Sequence, residues 1–355
     1  MKYQPNENPA GTNGFAFLEF TSSNPSELQK LFDLMGFTHV ANHKSKDIEL
    51  WKQNDITFLI NNQKGGFAEE FAKSHNGGAC GMGFLVKDTN HAYDHCIKNG
   101  AVPKESDDWQ NASDTKVISG IADTCLYLTE CADLLNSGLF EVIPGTLEKA
   151  SSHSAGLLYI DHLTHNVFRG NMDKWAKFYE DLFNFKEIRY FDIEGKLTGL
   201  VSRAMTGPCL KIKIPINESS DDISQIEEFL KLYNGEGIQH IALESENIFE
   251  SVEKLRGIGM KFMKTPDSYY KNTHKRLPYH PESVERMQKN QILIDGAPTE
   301  DGGYLLQIFT DTVIGPVFFE IIQRKGDDGF GEGNFQALFD SIENDQLERG
   351  VISAK

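Results

Sequence analysis

The sequence predicts an α+β fold: tandem β-α-β-β-β modules, used about four times, arranged as two similar halves. Three observations carry this. Both halves run through strand, helix and further strand-like segments in the same order. The strand-like segments are short and each module has a single helix, which favours curved, mostly antiparallel sheets. A small, polar stretch near Gly145–Ala155, EKASSHSAG, separates the halves. Two domains, residues 1–150 and 151–355, are expected from this boundary and from a length of 355 residues.

The first half opens on GFAFLEF (14–20), a strand, followed by a helix in SNPSELQKLFDLMGF (23–37). Ser23 or Asn24 is placed to cap it before Pro25, and Gly36 to stop it. Strand-like IELWKQ (48–53), ITFLIN (56–61) and CGMGFLV (80–86) follow, then a helix in HAYDHCIKNGA that closes at Gly100. In the second half LYIDHLTHNV (158–167) is the strand and NMDKWAKFYEDLFNF (171–185) the helix. KEIRYFDI, TGLVSRAM and LKIKIPI read as strands, and GIQHIALES (237–245) with the helix NIFESVEKLRGIGM (247–260) repeats the earlier ending.

The halves align by eye. FLEF (17–20) lies over HLTH (162–165), MGF (35–37) over FNF (183–185), and CGMGFLVKDTN (80–90) over GIQHIALESEN (237–247). GLFEVIPG (138–145) resembles PVFFEIIQR (316–324). Phe17 thus stands opposite His162 and Gly83 opposite His240, as if one copy had lost a site that the other keeps.

Composition narrows the function. A net charge of −17 argues against a nucleic-acid or anionic-membrane surface. The first residues contain no apolar core of a secretory signal, and no run approaches the roughly 18 apolar residues of a spanning helix. Five cysteines without a CxxC pair suit a reducing compartment, so a cytoplasmic protein is expected.

His162 and His240 occupy equivalent strands of successive modules, and Glu320 is a carboxylate inside an apolar strand. A buried, unpaired carboxylate costs several kcal/mol, so a cation partner is expected. Two imidazoles and one carboxylate leave open positions, the arrangement of non-haem Fe(II) oxygenases. Zinc also takes three protein ligands, although no HExxH helix is present. A lone strand histidine is more often a hydrogen-bonded core residue, and the residues alone leave these readings open. His165, three residues from His162, projects to the opposite face of a regular strand and reads as structural or as support behind the ligands. The other eight histidines (His39, His43, His75, His91, His95, His153, His274 and His280) read as solvated.

IDHLTHNV (160–167), KIPINE (213–218), SQIEEFL (224–230), GIQHIAL (237–243), LLQIFT (305–310) and GPVFFEIIQRKGDDGFGEGNFQALF (315–339) resemble the 4-hydroxyphenylpyruvate dioxygenase family, within the vicinal oxygen chelate superfamily. The resemblance runs over nearly the whole chain. It implies two open-barrel domains, the first degenerate and structural, the second catalytic with a C-terminal lid helix. It places Fe(II) on His162, His240 and Glu320. The implied reaction turns 4-hydroxyphenylpyruvate and O2 into homogentisate and CO2, a step of tyrosine and phenylalanine catabolism, by oxidative decarboxylation, ring hydroxylation and side-chain migration. Relatives also imply a dimer or tetramer.

The same resemblance implies a substrate pocket of Ser202, Asn217, Gln225, Gln239 and Gln307. Amides both donate to and accept from a neutral phenol, where a charge would be costly to bury. Gln239 directly precedes His240, so plain strand alternation would separate them. Phe330 and Phe335 are implied over the substrate, and Phe319 sits beside Glu320. Glycines 326, 329, 331 and 333 give the segment before a helix capped near Asn334 the freedom of a lid. Two rival readings share the scaffold: 4-hydroxymandelate synthase, and a non-catalytic small-molecule-binding protein.

Overall fold

Apolar runs at the start of each half become the central strands, because buried positions fill both of their faces. The computed structural model describes residues 7–104, 115–194, 199–271, 273–297, 299, 302–331, 333–335, 347 and 350. In the first half the order is β1 (Thr12–Ser22), α1 (Pro25–Leu34), β2 (Thr38–His43), β3 (Ile48–Gln53), β4 (Ile56–Asn61), α2 (Phe67–His75), β5 (Gly77–Val86), α3 (Thr89–Lys98), β6 (Thr115–Ser119), β7 (Cys125–Thr129) and β8 (Phe140–Val142). Helix α4 (Thr146–His153) connects to the second half: β9 (Leu157–Val167), α5 (Met172–Phe183), β10 (Lys186–Glu194), β11 (Gly199–Thr206), β12 (Lys213–Ser219), α6 (Gln225–Tyr233), β13 (Gly237–Ser245) and α7 (Ile248–Gly257). Short helices α8 (Asp267–Lys271), α9 (Thr273–Arg276) and α10 (Val284–Asn290) precede β14 (Leu293–Gly296), β15 (Tyr304–Phe309) and β16 (Phe318–Lys325).

Among the described residues each half forms one eight-stranded sheet, ordered β6-β7-β5-β1-β4-β3-β2-β8 and β10-β11-β12-β9-β13-β16-β15-β14. Reversing the second order lays β16-β13-β9-β12 over β7-β5-β1-β4. The pairing senses agree: β1/β5 and β9/β13 are antiparallel, while β1/β4, β5/β7, β9/β12 and β13/β16 are parallel. The repeat is therefore real, with two corrections to the alignment by eye.

The counterpart of β16 is β7, CLYLT, rather than GLFEVIPG. Phe140–Val142 is a three-residue edge strand on β2, and its Phe-Glu pattern matches without sharing the position. The second correction is a slip of two residues. Phe17 pairs with Gly83, which pairs with Tyr127; His162 pairs with Ala242, which pairs with Glu320. His240 pairs with Thr164, and the matching pair is Gly81 with Glu19. The partner of His240 is thus Gly81, not Gly83. A two-residue slip keeps every side chain on its own face, so the hydrophobic pattern could not reveal it.

Asn24 does occupy the cap position of α1, but its side chain makes no capping bond. Helix α5 buries Trp175, Tyr179, Leu182 and Phe183, and it stops at Asn184 in the left-handed region, φ 56°. One apolar core runs through both halves, and Phe319 of β16 packs near Phe20 and Phe58 of the first half, at 6.5 and 6.1 Å between centroids. His75 joins this seam instead of being solvated. It is 6% exposed, with Nδ1 2.7 Å from the Tyr233 carbonyl and Nε2 3.1 Å from the Asp123 carboxylate. Among the described residues no helix is long and apolar enough to cross a membrane.

Candidate metal centre

Three neighbouring strands of the second sheet bring together His162 from β9, His240 from β13 and Glu320 from β16. All three are buried, and one donor atom from each lies within 4.8 Å of the others. His162 Nε2 is 3.3 Å and His240 Nε2 3.5 Å from Glu320 Oε2.

The opposite ring nitrogens are committed elsewhere. His162 Nδ1 is 2.8 Å from Asp161 Oδ1, and His240 Nδ1 is 3.0 Å from Gln239 Oε1. Since carboxylate and amide oxygens only accept, each Nδ1 donates, and a neutral imidazole then turns the Nε2 lone pair toward Glu320. The second Glu320 oxygen accepts from Gln307 Nε2 at 2.8 Å. Burial pushes the Glu320 carboxyl up, but without a metal the imidazoles, when protonated, donate to it and hold it at about 2, the place a bound cation would take over from those protons. Two neutral nitrogen donors and one anionic oxygen, buried and oriented by outer partners, suit a divalent transition metal.

Asp161 is itself held. Burial would push its carboxyl up, but Arg324 and Lys213 keep it well below the usual range. Arg324 donates twice to it at 2.7 Å, and Lys213 Nζ lies 3.5 Å away.

Beside the two imidazoles lies a cavity whose polar walls are Ser202, Asn217, Gln225 and Gln239, with Phe330 and Phe335 as aromatic walls. Gln239 reaches it together with His240 because the β9/β13 pairing shifts register between Ile238 and His240. Such a bulge re-aims neighbouring side chains, so simple alternation does not apply here. The Ser202 hydroxyl is buried with no hydrogen-bond partner among the described residues, which leaves it available to a bound molecule.

The sequence profile described as "Hydroxyphenylpyruvate dioxygenase, HPPD, N-terminal" matches residues 6–138. That of the "Glyoxalase/Bleomycin resistance protein/Dioxygenase superfamily" matches residues 159–308. The chain is 53% identical to 4-hydroxyphenylpyruvate dioxygenase of Pseudomonas aeruginosa over 350 residues, covering 97% of each chain. It is 50% identical to the enzyme of that name from Legionella pneumophila, covering 98% of each. The chain belongs to the 4-hydroxyphenylpyruvate dioxygenase family. It is also 53% identical to a Vibrio vulnificus protein named hemolysin VllY, again covering 98% of each. A solved variant of 4-hydroxymandelate synthase from Streptomyces coelicolor shares the fold, with TM-score 0.81 at 23% identity, covering 94% of this chain and 99% of that one.

Within this member of the 4-hydroxyphenylpyruvate dioxygenase family, two expected pocket residues lie elsewhere. Gln307 stands behind Glu320 rather than in the cavity wall, bonded to the carboxylate and to the Phe330 carbonyl. Phe319 points away from the site into the seam between the halves, because adjacent strand residues face opposite ways. The β16 aromatic that faces the site is Phe318, whose ring stacks on His240 at 4.9 Å. Phe318 and Glu320 are two apart and share a face, a signal the sequence did carry.

Thr164, Leu200, Pro215 and Ile226 complete the cavity wall and were not anticipated. Nor were Asp161 and Arg324, although an acid beside a strand histidine is a readable hint. His165 turns to the far face, where Nε2 meets the Tyr179 hydroxyl at 2.7 Å, and burial lowers its pKa to about 3. Its role is packing against α5. The body of the expected C-terminal lid helix falls outside the described residues, which reach only Phe335 of its start.

Proposed function

We propose that the protein is an Fe(II)-dependent dioxygenase that converts 4-hydroxyphenylpyruvate and O2 into homogentisate and CO2. One observation carries the reading: His162, His240 and Glu320 converge with their donor atoms free of outer bonds, beside a cavity of uncharged amides and phenylalanines. The names of relatives at about half identity over nearly full length support the same substrate. Cytoplasmic location, assembly as a dimer or tetramer, and a structural domain 1–150 beside a catalytic domain 151–355 belong to the same reading.

His162, His240 and Glu320 would hold the iron, which when bound would supply a redox-active centre for O2 and a Lewis-acidic anchor for the 2-oxo acid, the substrate itself being the net electron donor. The protein's own work is positioning. Asp161 and Gln239 fix the two imidazoles in one tautomer and orientation. Gln307 fixes the carboxylate. Ser202, Asn217 and Gln225 offer uncharged donors and acceptors to the phenol end of the substrate, at low desolvation cost. Phe330 and Phe335 confine the ring and exclude water from the reacting end.

No separate 2-oxo acid or reductant is required. The substrate's own carboxyl leaves as CO2, and both oxygen atoms of O2 are accounted for in the products. The test is aerobic incubation with Fe(II) and 4-hydroxyphenylpyruvate, with products separated by chromatography. Homogentisate and consumed O2 in equal amounts support the proposal. 4-Hydroxymandelate as the product would assign the synthase reaction, and binding without O2 uptake would make the protein a binder only.

A further inference from the structure

Arg324 stands on β16 four residues after Glu320. Its Nε and Nη2 donate to the two carboxylate oxygens of Asp161, both at 2.7 Å. Its Nη1 donates to the carbonyls of Asp327 at 3.1 Å and Gly329 at 2.5 Å. One guanidinium therefore grips the carboxylate that orients His162 and the backbone that leads to Phe330. The Phe330 ring closes the circuit by meeting the His162 ring edge-on at 5.5 Å.

A second tie runs in parallel. Gln307 Nε2 bonds Glu320 Oε1 and the Phe330 carbonyl, at 2.8 and 3.0 Å, and Gln307 Oε1 accepts from Asn334 Nδ2 at 2.9 Å. The segment can lie this close only because Gly331 has no side chain: a Cβ there would stand 2.0 Å from Gln307 Oε1. Glu320 is thus tied to the segment that carries Phe330 through one residue, Gln307, and His162 through two, Asp161 and Arg324.

We propose that Arg324 is a positioning residue that couples metal binding at His162, His240 and Glu320 to docking of residues 327–331 against the cavity. The inference rests on the metal reading above and adds a link between the metal and the cavity wall. Coupling of this kind is reciprocal: if the docked segment holds His162 ready for metal, bound metal must favour the docked segment. Only an arginine can make both grips, because its fork spans a carboxylate on one side and carbonyls on the other. A lysine at 324 keeps the charge beside Asp161 and loses the bridge. The consequence for turnover is order: a metal-loaded site is also one whose Phe330 wall is in place.

The test uses Co(II) as the probe, on the full chain. Calorimetric titration gives its affinity, and hydrogen–deuterium exchange of peptides covering residues 326–331 gives the docking of the segment. Circular dichroism first establishes that Arg324→Lys and Arg324→Met are folded; if the methionine variant is not, the lysine variant carries the test. In the wild type, Co(II) slows exchange in the segment. In Arg324→Lys, Co(II) binds about tenfold more weakly, and at saturation it no longer slows exchange across residues 327–329. Affinity within twofold of wild type, or unchanged slowing at saturation, would overturn the coupling while leaving the metal site standing. His162→Ala separates the two ideas, since wild-type Co(II) affinity in that variant would remove the metal reading itself.

Discussion

Phe17 and Tyr127 lie with ring centroids 5.3 Å apart, on the same cross-strand row of the first sheet that His162 and Glu320 hold in the second. Between them the Tyr127 hydroxyl donates to Glu19 at 2.5 Å, and Asn61 donates to the same carboxylate at 2.7 Å. Rings and a hydrogen-bonded carboxylate fill the space, and a Cβ on Gly81, the partner of His240, would come within 2.6 Å of Tyr127. Where the second half gathers its candidate metal ligands, the first half has packed rings and a hydrogen-bonded carboxylate.

Tyr127→Phe takes one donor from a buried carboxylate. Leaving such a group short of a partner costs about 1–3 kcal/mol. Urea denaturation should show a loss of that size, with Co(II) binding at the second half unchanged.

Gln307 holds Glu320 from behind, so Gln307→Leu should weaken Co(II) binding by about tenfold. With the metal site saturated, KM for 4-hydroxyphenylpyruvate should still rise, because Gln307 also holds the Phe330 carbonyl of the cavity wall. A raised KM with normal metal affinity would instead place the Gln307 side chain on the substrate.

Phe319→Ala should behave as a core mutation. Truncating a buried phenylalanine costs about 3–5 kcal/mol, and thermal melting should record it. Metal affinity should stay within about threefold of wild type. A large loss of Co(II) affinity with little loss of stability would put Phe319 back in the site.

His75 and Asp123 supply a pH-dependent contact in the seam. Burial pushes the His75 imidazole down, but Asp123 and the Tyr233 carbonyl outweigh it and raise it above 6.5. Burial likewise pushes the Asp123 carboxyl up, while His75 brings it net below 3.8. The histidine's contribution is complete below 6.5 and is lost as pH rises through its folded value; the aspartate's is present above 3.8 and is lost on acidification. The stability gap between wild type and Asp123→Asn should therefore be widest between roughly pH 4 and 6.5 and close in alkali. Asp123 is half exposed, so the gap is on the order of 1 kcal/mol or less. A gap that widened above pH 8 would contradict this.

Much of the architecture was legible because a repeated order of strands and helices survives sequence drift. Phe17 opposite His162 was readable for that reason, and His162, His240 and Glu320 could be assembled as a candidate site. The register of β5 against β13 was not readable, since slipping by two residues preserves the face. Gln239 escaped alternation through a bulge, which leaves no local signature in GIQHIAL. Phe319 was misplaced by proximity in sequence to Glu320, where strand geometry favours Phe318. Arg324 was out of reach because its partners, Asp161 and the carbonyls of Asp327 and Gly329, meet only after the sheet closes.

The most direct test is O2 uptake by the protein supplied with Fe(II) and 4-hydroxyphenylpyruvate, comparing wild type with His162→Ala and Glu320→Ala. The account predicts rapid uptake in the wild type and, in both folded variants, uptake no faster than with Fe(II) and substrate alone. Wild-type uptake by either variant would contradict the assignment of His162, His240 and Glu320 as the metal centre.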